Sequence, residues 1–458
     1  MILLQNCYAI ATLDNEKMLY SQDILIEENR IKKIGTHLLD NLKAEERARL
    51  QILDCSDSIV IPGLVNTHHH FYQTLTRNVK EVQNSKLFDW LTFLYEIWKK
   101  IDDEAIYYSS AIAIGELLKT GCTLTTDHHY LYPGSFSVEN KSIAKIQYDV
   151  AEKLGIRFAA TRGSMSKSKK DGGLPPDDVV QSDDKILEDT EKVIKLFNDP
   201  SEDSMRRVIV APCSPFSVSK ELMKESVKLA RKYGVKLHTH LAETSDEVQY
   251  CLKTYGKRPL ALMEEVEFIG EDTFYAHGIY FDDNELDLLA KTKTGIAHCP
   301  SSNMRLGSGI CRVVECHEKG IPIGIAVDGS ASNDTSDMLG ELRQTLLLQR
   351  VKYGSCSIDA NTVFEFGTTG GASLLGFKNV GKIKENWLAD LAVFPILRLD
   401  YTGSLSDPLA ALLFCGDSHI TKYTIVNGIL AVKDGKLTGM EEETIIKKGN
   451  DISRKLLS

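Results

Sequence analysis

The chain has 458 residues, 43% apolar and 26% charged, the balance of a soluble globular protein with a large core. Its 54 Lys and Arg face 64 Asp and Glu, and a net charge of -10 disfavours sequence-independent binding of nucleic acid, which needs cations to displace counterions. No run approaches the roughly 18 apolar residues of a membrane-spanning helix, and Met1–Ile10 lacks the basic start of a secretory leader.

In chain order, residues 1–58 carry β-like runs at Leu3–Leu13, Asp23–Ile26 and Arg30–Ile34. From Ile59 onward, short apolar runs ending in polar or histidine residues alternate with segments of helical period. The runs are Ile59–Val65, Thr123–Asp127, Arg157–Thr161, Arg207–Pro212, Val235–Thr239, Thr273–Ala276, Gly295–His298 and Ile321–Val327. Helical segments between or after them include Asp103–Lys119, Asp183–Asn198, Ser219–Tyr233, Asp283–Lys291 and Ser336–Lys352. In Ser219–Tyr233 the apolar residues Leu222, Val227, Leu229 and Ala230 lie near helical spacing, Ser219 suits a cap and Gly234 a stop.

Such alternation predicts a parallel sheet with right-handed crossovers, and eight units predict an α/β fold closed as a (β/α)8 TIM barrel over residues 59–380. Residues 381–458 return to strand-like runs at Ala389–Phe394, Tyr423–Val426 and Ile429–Val432, with Asp434-Gly435 as a turn. Neither terminal stretch has strands enough for a core, so 1–58 and 381–458 are expected to build one small β-sandwich domain together. The Gly-, Pro-, Lys- and Asp-rich segment 163–181 suits a flap over the barrel mouth and a solvated loop equally.

Active-site groups of such barrels stand at the C-terminal strand ends, and there this sequence gathers its polar residues. Asn66-Thr67-His68-His69-His70 follows the first run, Asp127-His128-His129 the second, and Cys213-Ser214 the fourth. The fifth continues as His238-Thr239-His240-Leu241-Ala242-Glu243, and the last three end at His277, His298 and Asp328. Residues two apart on a strand point the same way, so His68 and His70 can share one metal ion. With His240 and Asp328 from other strands they make three imidazoles and a carboxylate, a donor set suited to Zn2+, with Fe2+ the alternative. His240 is preferred over His238 as ligand because Glu243 follows it closely, leaving His238 to pack or to hydrogen-bond a ligand. The ten cysteines are scattered without a Cys-x-x-Cys pair, which argues against a disulfide framework and fits reduced thiols in a cytoplasm.

Pro62-Gly63-Leu64-Val65-Asn66-Thr67-His68-His69-His70, His240-Leu-Ala-Glu243, Ala276-His277-Gly278, His298-Cys-Pro-Ser-Ser-Asn303 and Val327-Asp328-Gly329 together resemble the amidohydrolase superfamily. Within it the chain is similar to aminohydrolases of purines, pterins and triazines. The resemblance implies one metal ion on His68, His70, His240 and Asp328; the fourth run carries no lysine to bridge a second. It implies hydrolytic deamination of a free oxidised guanine at C2 to urate and ammonia, with isoxanthopterin, guanine or a related amino-heterocycle as alternative substrate. Glu243 would move a proton to the ring, Asp328 would pass the proton of water to departing ammonia, and His277 would stabilise the tetrahedral intermediate. Gln73, Cys213, Tyr132 and Ser330 are further candidates for substrate contact beside Glu243. The partners implied are a small-molecule purine or pterin and, by family habit, further copies of the chain, with no nucleic acid and no membrane.

Overall fold

The computed structural model describes residues 1–15, 17–133 and 143–458. Eight parallel strands follow one another in chain order around a barrel: Leu64–Asn66, Cys122–Asp127, Arg157–Ser164, Arg206–Pro212, Lys236–Leu241, Thr273–His277, Gly295–His298 and Ile323–Ile325. The ring is drawn together where the Thr67 N–H donates to the Ile325 carbonyl at 3.1 Å. Just beyond, Asp328–Gly329 pairs in parallel with His69–His70. Val65, Leu124, Ala159, Ile209, Phe274 and Ala297, from six of these strands, pack in one buried cluster, so the barrel is filled rather than open.

Helices connect the strands, and their caps are legible in the sequence. Ser219 Oγ accepts the Leu222 N–H at 2.9 Å at the start of Lys220–Tyr233, and Gly234 ends that helix with φ 64°. Asp102, Ser182, Asp282 and Asp337 cap other helices in the same way. No helix of the described residues is long and apolar enough to cross a membrane, and the ten cysteines are free thiols.

Both termini feed a second sheet of nine strands. From one edge it runs Lys436–Leu437, Ile429–Lys433, Tyr423–Val426, Leu391–Pro395, Ser58–Pro62, Ile2–Ala11, Met18–Glu27 and Arg30–Gly35, with Gln51–Asp54 also beside Ile2–Ala11. The run expected as the first barrel strand is therefore divided. Ser58–Pro62 pairs with Leu391–Pro395 in this sheet, and Leu64–Asn66 alone enters the barrel beside the second strand. Periodicity marks a buried strand but not which sheet receives it. The joint is Gly63, where a Cβ would stand 2.1 Å from Thr123 Oγ1.

Of residues 163–181, Gly163 and Ser164 end the third barrel strand and the rest form an anchored loop. The Ser166 and Lys167 N–H groups donate to the Ser217 carbonyl at 3.0 Å, and the Gln181 N–H to that of Met165 at 3.0 Å. The Lys167 ammonium donates to the Tyr250 hydroxyl at 2.8 Å.

Candidate active site

His68, His70, His240 and Asp328 converge at the C-terminal end of the barrel, all buried. Asp328 Oδ1 lies 3.3 Å from Nε2 of both His68 and His70, and Nε2 of His70 and His240 are 3.2 Å apart. The outer nitrogens fix the tautomers. His70 Nδ1–H donates to the His128 carbonyl at 2.8 Å, and His240 Nδ1–H to that of Cys213 at 2.7 Å. His238 Nδ1–H donates to the Phe274 carbonyl at 3.0 Å, so its Nε2 accepts the Nδ1–H of His68 at 2.7 Å.

Three Nε2 lone pairs therefore face one point together with a carboxylate oxygen, and His68 Nε2 is buried with no hydrogen-bond partner. Burial holds His68 and His240 well below the ordinary imidazole range, keeping them neutral. Bare nitrogens at van der Waals distance repel unless a cation lies between them. Tetrahedral zinc with bonds near 2.1 Å spaces its ligand atoms by about 3.4 Å, so the donor set fits such an ion.

Beside this cluster, His277 Nε2 is 3.5 Å from Glu243 Oε2 and 3.9 Å from Asp328 Oδ2. His277 Nδ1–H donates to Asn303 Oδ1 at 2.9 Å, which turns Nε2 towards the two carboxylates. Burial lowers the pKa of His277, but Glu243 and Asp328 outweigh it and raise it overall; burial also raises that of Glu243. Ala242, His277 and Asp328 have φ of 55°, 73° and 62°, a left-handed conformation that costs non-glycine residues energy and concentrates at functional sites.

Above lies a cavity of about 30 Å³, room for one or two waters. His70, His240, Glu243, His277 and Asp328 line it, with Gln73 and Cys213 at the sides. Leu87, Trp90, Leu91 and Tyr95, all on the helix Leu87–Trp98, line it with Phe216 and Leu306. Gln73 Oε1 and the Tyr95 hydroxyl are buried without partners. Residues 163–181 are absent from this lining.

Of the residues singled out in the sequence, the cluster brings together His68, His70, His240, Glu243, His277 and Asp328. Two others lie apart from the cavity. The Tyr132 ring sits 3.8 Å from the Arg162 guanidinium, and Ser330 Oγ meets Ser336 Oγ at 3.2 Å and Arg77 at 3.4 Å. His128 carried no assigned role, yet its ring nitrogen lies within 4.8 Å of ligand atoms of His68, His70 and His240. Its Nε2–H donates to the Ala211 carbonyl at 2.9 Å, leaving Nδ1 buried and unpartnered. Its place at a barrel strand end was the available signal. Trp90 and Tyr95 gave none, since aromatic residues on an amphipathic helix read as packing.

The amidohydrolase family model matches residues 59–430. Over 395 residues the chain is 45% identical to 8-oxoguanine deaminase of Pseudomonas aeruginosa, covering 86% of this chain and 87% of that one. It is 32% identical to an isoxanthopterin deaminase from an unknown prokaryotic organism, covering 99% and 97%. Among solved structures, the atrazine chlorohydrolase of Arthrobacter aurescens complexed with zinc superposes with a TM-score of 0.92 at 27% identity, covering 99% of this chain and 100% of that one. By sequence and by fold, the chain belongs to the amidohydrolase family.

Proposed function

We propose that the protein deaminates 8-oxoguanine hydrolytically, giving urate and ammonia. The observation that carries a deaminase reading is the convergence of three imidazoles and Asp328 beside the His277–Glu243 pair, beneath a cavity at the barrel end. The choice of base is supported by the 45% identical relative.

His68, His70, His240 and Asp328 would hold one divalent ion, Zn2+ in our reading with Fe2+ as alternative. Such an ion polarises oxygen ligands and lowers the pKa of water from about 15.7 towards roughly 7. The chain's own groups then manage protons. Asp328 accepts a proton from the attacking water and returns it to the departing amine. Glu243, whose carboxyl burial raises above its ordinary range, delivers a proton to the ring nitrogen beside the attacked C2. His277, whose pKa burial lowers but Glu243 and Asp328 raise overall, donates from Nε2 to the oxygen added to that carbon. Water adds, ammonia leaves, and the remaining proton of the added hydroxyl returns to Glu243 as the carbon–amine bond gives way to a carbonyl.

Gln73, with donor and acceptor on one amide, suits the amide edge of a purine, and Cys213 faces the same space. The helix Leu87–Trp98 and Phe216 line the space that a bicyclic base would enter. A pterin is the second reading, favoured by the isoxanthopterin deaminase that aligns over 99% of the chain. Ammonia release from 8-oxoguanine, isoxanthopterin and guanine tests the assignment. We expect 8-oxoguanine to give the highest kcat/KM, and no turnover of it overturns the proposal.

A further inference from the structure

Glu247 stands outside the cavity lining yet is fully buried, on the helix Ser245–Tyr255 that follows Glu243. One carboxylate oxygen accepts the Ala242 N–H at 2.9 Å and the other accepts the Glu243 N–H at 2.9 Å. This is not the usual helix-start arrangement, in which the third residue's carboxylate returns to the N–H of the capping residue. Thr244 is that cap, accepting the Glu247 N–H at 3.3 Å, and the carboxylate reaches past it to the two residues before.

The segment it grips is held from the other side as well. The Ile279 and Tyr280 N–H groups both donate to the Ala242 carbonyl at 2.9 Å, and the Gly278 N–H donates to that of Leu241 at 3.2 Å. Ala242 is thereby kept at φ 55°, a conformation an alanine leaves readily when released. This turn sets where the Glu243 side chain projects, and the same contacts join it to the segment just after His277.

We infer that Glu247 is a positioning residue. Its carboxylate locks the left-handed turn at Ala242 and so holds Glu243 within reach of His277 and the ring of the substrate. The inference rests on the reading of Glu243 as the proton carrier. An amide at 247 keeps one acceptor and sets an N–H group against the other backbone donor; alanine removes both acceptors.

The test uses the full-length, metal-loaded protein and the variants Glu247→Gln, Glu247→Ala, Glu243→Gln and Glu243→Gln/Glu247→Gln. Amide hydrogen exchange of the peptide spanning Ala242 and Glu243 is read first. The expected result is faster exchange there in both Glu247 variants, with the flanking barrel strands unchanged. Steady-state kinetics then separate kcat from KM. Glu247→Gln should lower kcat by on the order of 10–100-fold with KM within about twofold, the cost of a misplaced reacting group. In the Glu243→Gln background the same change should cost less than about twofold, because the group it positions is already gone.

Unchanged exchange in Glu247→Ala overturns the inference, as does an equal kcat loss in both backgrounds, which would mark a general structural role. Full activity of Glu243→Gln instead overturns the reading of Glu243 as the proton carrier, and leaves the exchange result to decide whether Glu247 holds the turn.

Discussion

Arg157 and Asp390 form a two-point ion pair, Nε to Oδ2 at 3.0 Å and Nη2 to Oδ1 at 3.2 Å, with both side chains fully buried. Arg157 opens the third barrel strand, and Asp390 directly precedes a strand of the terminal sheet. Asp390 serves the junction twice more. Its Oδ1 accepts the Asn427 N–H at 2.7 Å, and its carbonyl accepts the Gly63 N–H at 2.9 Å. The pair is thus where the two sheets are bolted together.

Removing one partner leaves the other charge buried and unmatched. Arg157→Ala or Asp390→Ala should each destabilise the protein by about 3–5 kcal/mol. Thermal unfolding of the single variants and of the double variant checks this, the double change costing less than the sum of the two.

Metal affinity should depend on a residue that touches no metal. His238 accepts the Nδ1–H of His68, and His238→Phe removes that acceptor within a layer already stacked on Phe274 at 4.1 Å. A loss of about 10–100-fold in affinity is expected, measured by competition with a chelator. His70→Ala, which removes a proposed ligand, should leave the purified protein with a much reduced metal content by elemental analysis.

Trp90 lines the cavity and Trp98 and Trp387 do not. Binding of a base should therefore change tryptophan fluorescence in the native protein, and Trp90→Phe should abolish most of that change. A response that persists undiminished in the variant would place the base elsewhere.

Gln73→Ala should lower kcat/KM by roughly 10–100-fold, about 1–3 kcal/mol for polar groups of a bound base left without partners. The acceptor involved, Gln73 Oε1, is buried and unpartnered in the free protein. Steady-state kinetics on 8-oxoguanine measure the effect.

A pH dependence of stability follows from Glu341. Burial raises its carboxyl from 4.5 to about 8, although it accepts the Ser301 N–H at 3.2 Å and an Asn333 Nδ2–H at 2.9 Å. The folded protein retains a proton that the unfolded chain has released. The contribution is complete below pH 4.5 and is lost as pH rises through about 8. The slope in that window is at most about 1.4 kcal/mol per pH unit. The Tm should fall between pH 6 and pH 8, and fall less in Glu341→Gln.

Much of the barrel and of its histidine-rich end could be read from the chain because both depend on local order. A strand brings His68 and His70 to one side by its alternation, and Ser219 and Gly234 bound a helix by backbone chemistry that neighbours do not alter. What required the fold was information carried across the chain. The sequence leaves His238 open between packing and hydrogen-bonding a ligand; the proton on its Nδ1 is decided by the Phe274 carbonyl, 36 residues away. The division of Ile59–Val65 between two sheets depends likewise on Leu391–Pro395 claiming its first half. Tyr132 follows the histidines of the second strand end, yet its ring lies against Arg162 of the third strand, a choice made by packing.

The division at Gly63 has a practical side. The same backbone that is stitched into the terminal sheet at Ser58–Pro62 delivers His68 and His70 a few residues later. Trimming the chain past Ser58 to obtain a shorter version for crystals would unmoor those imidazoles.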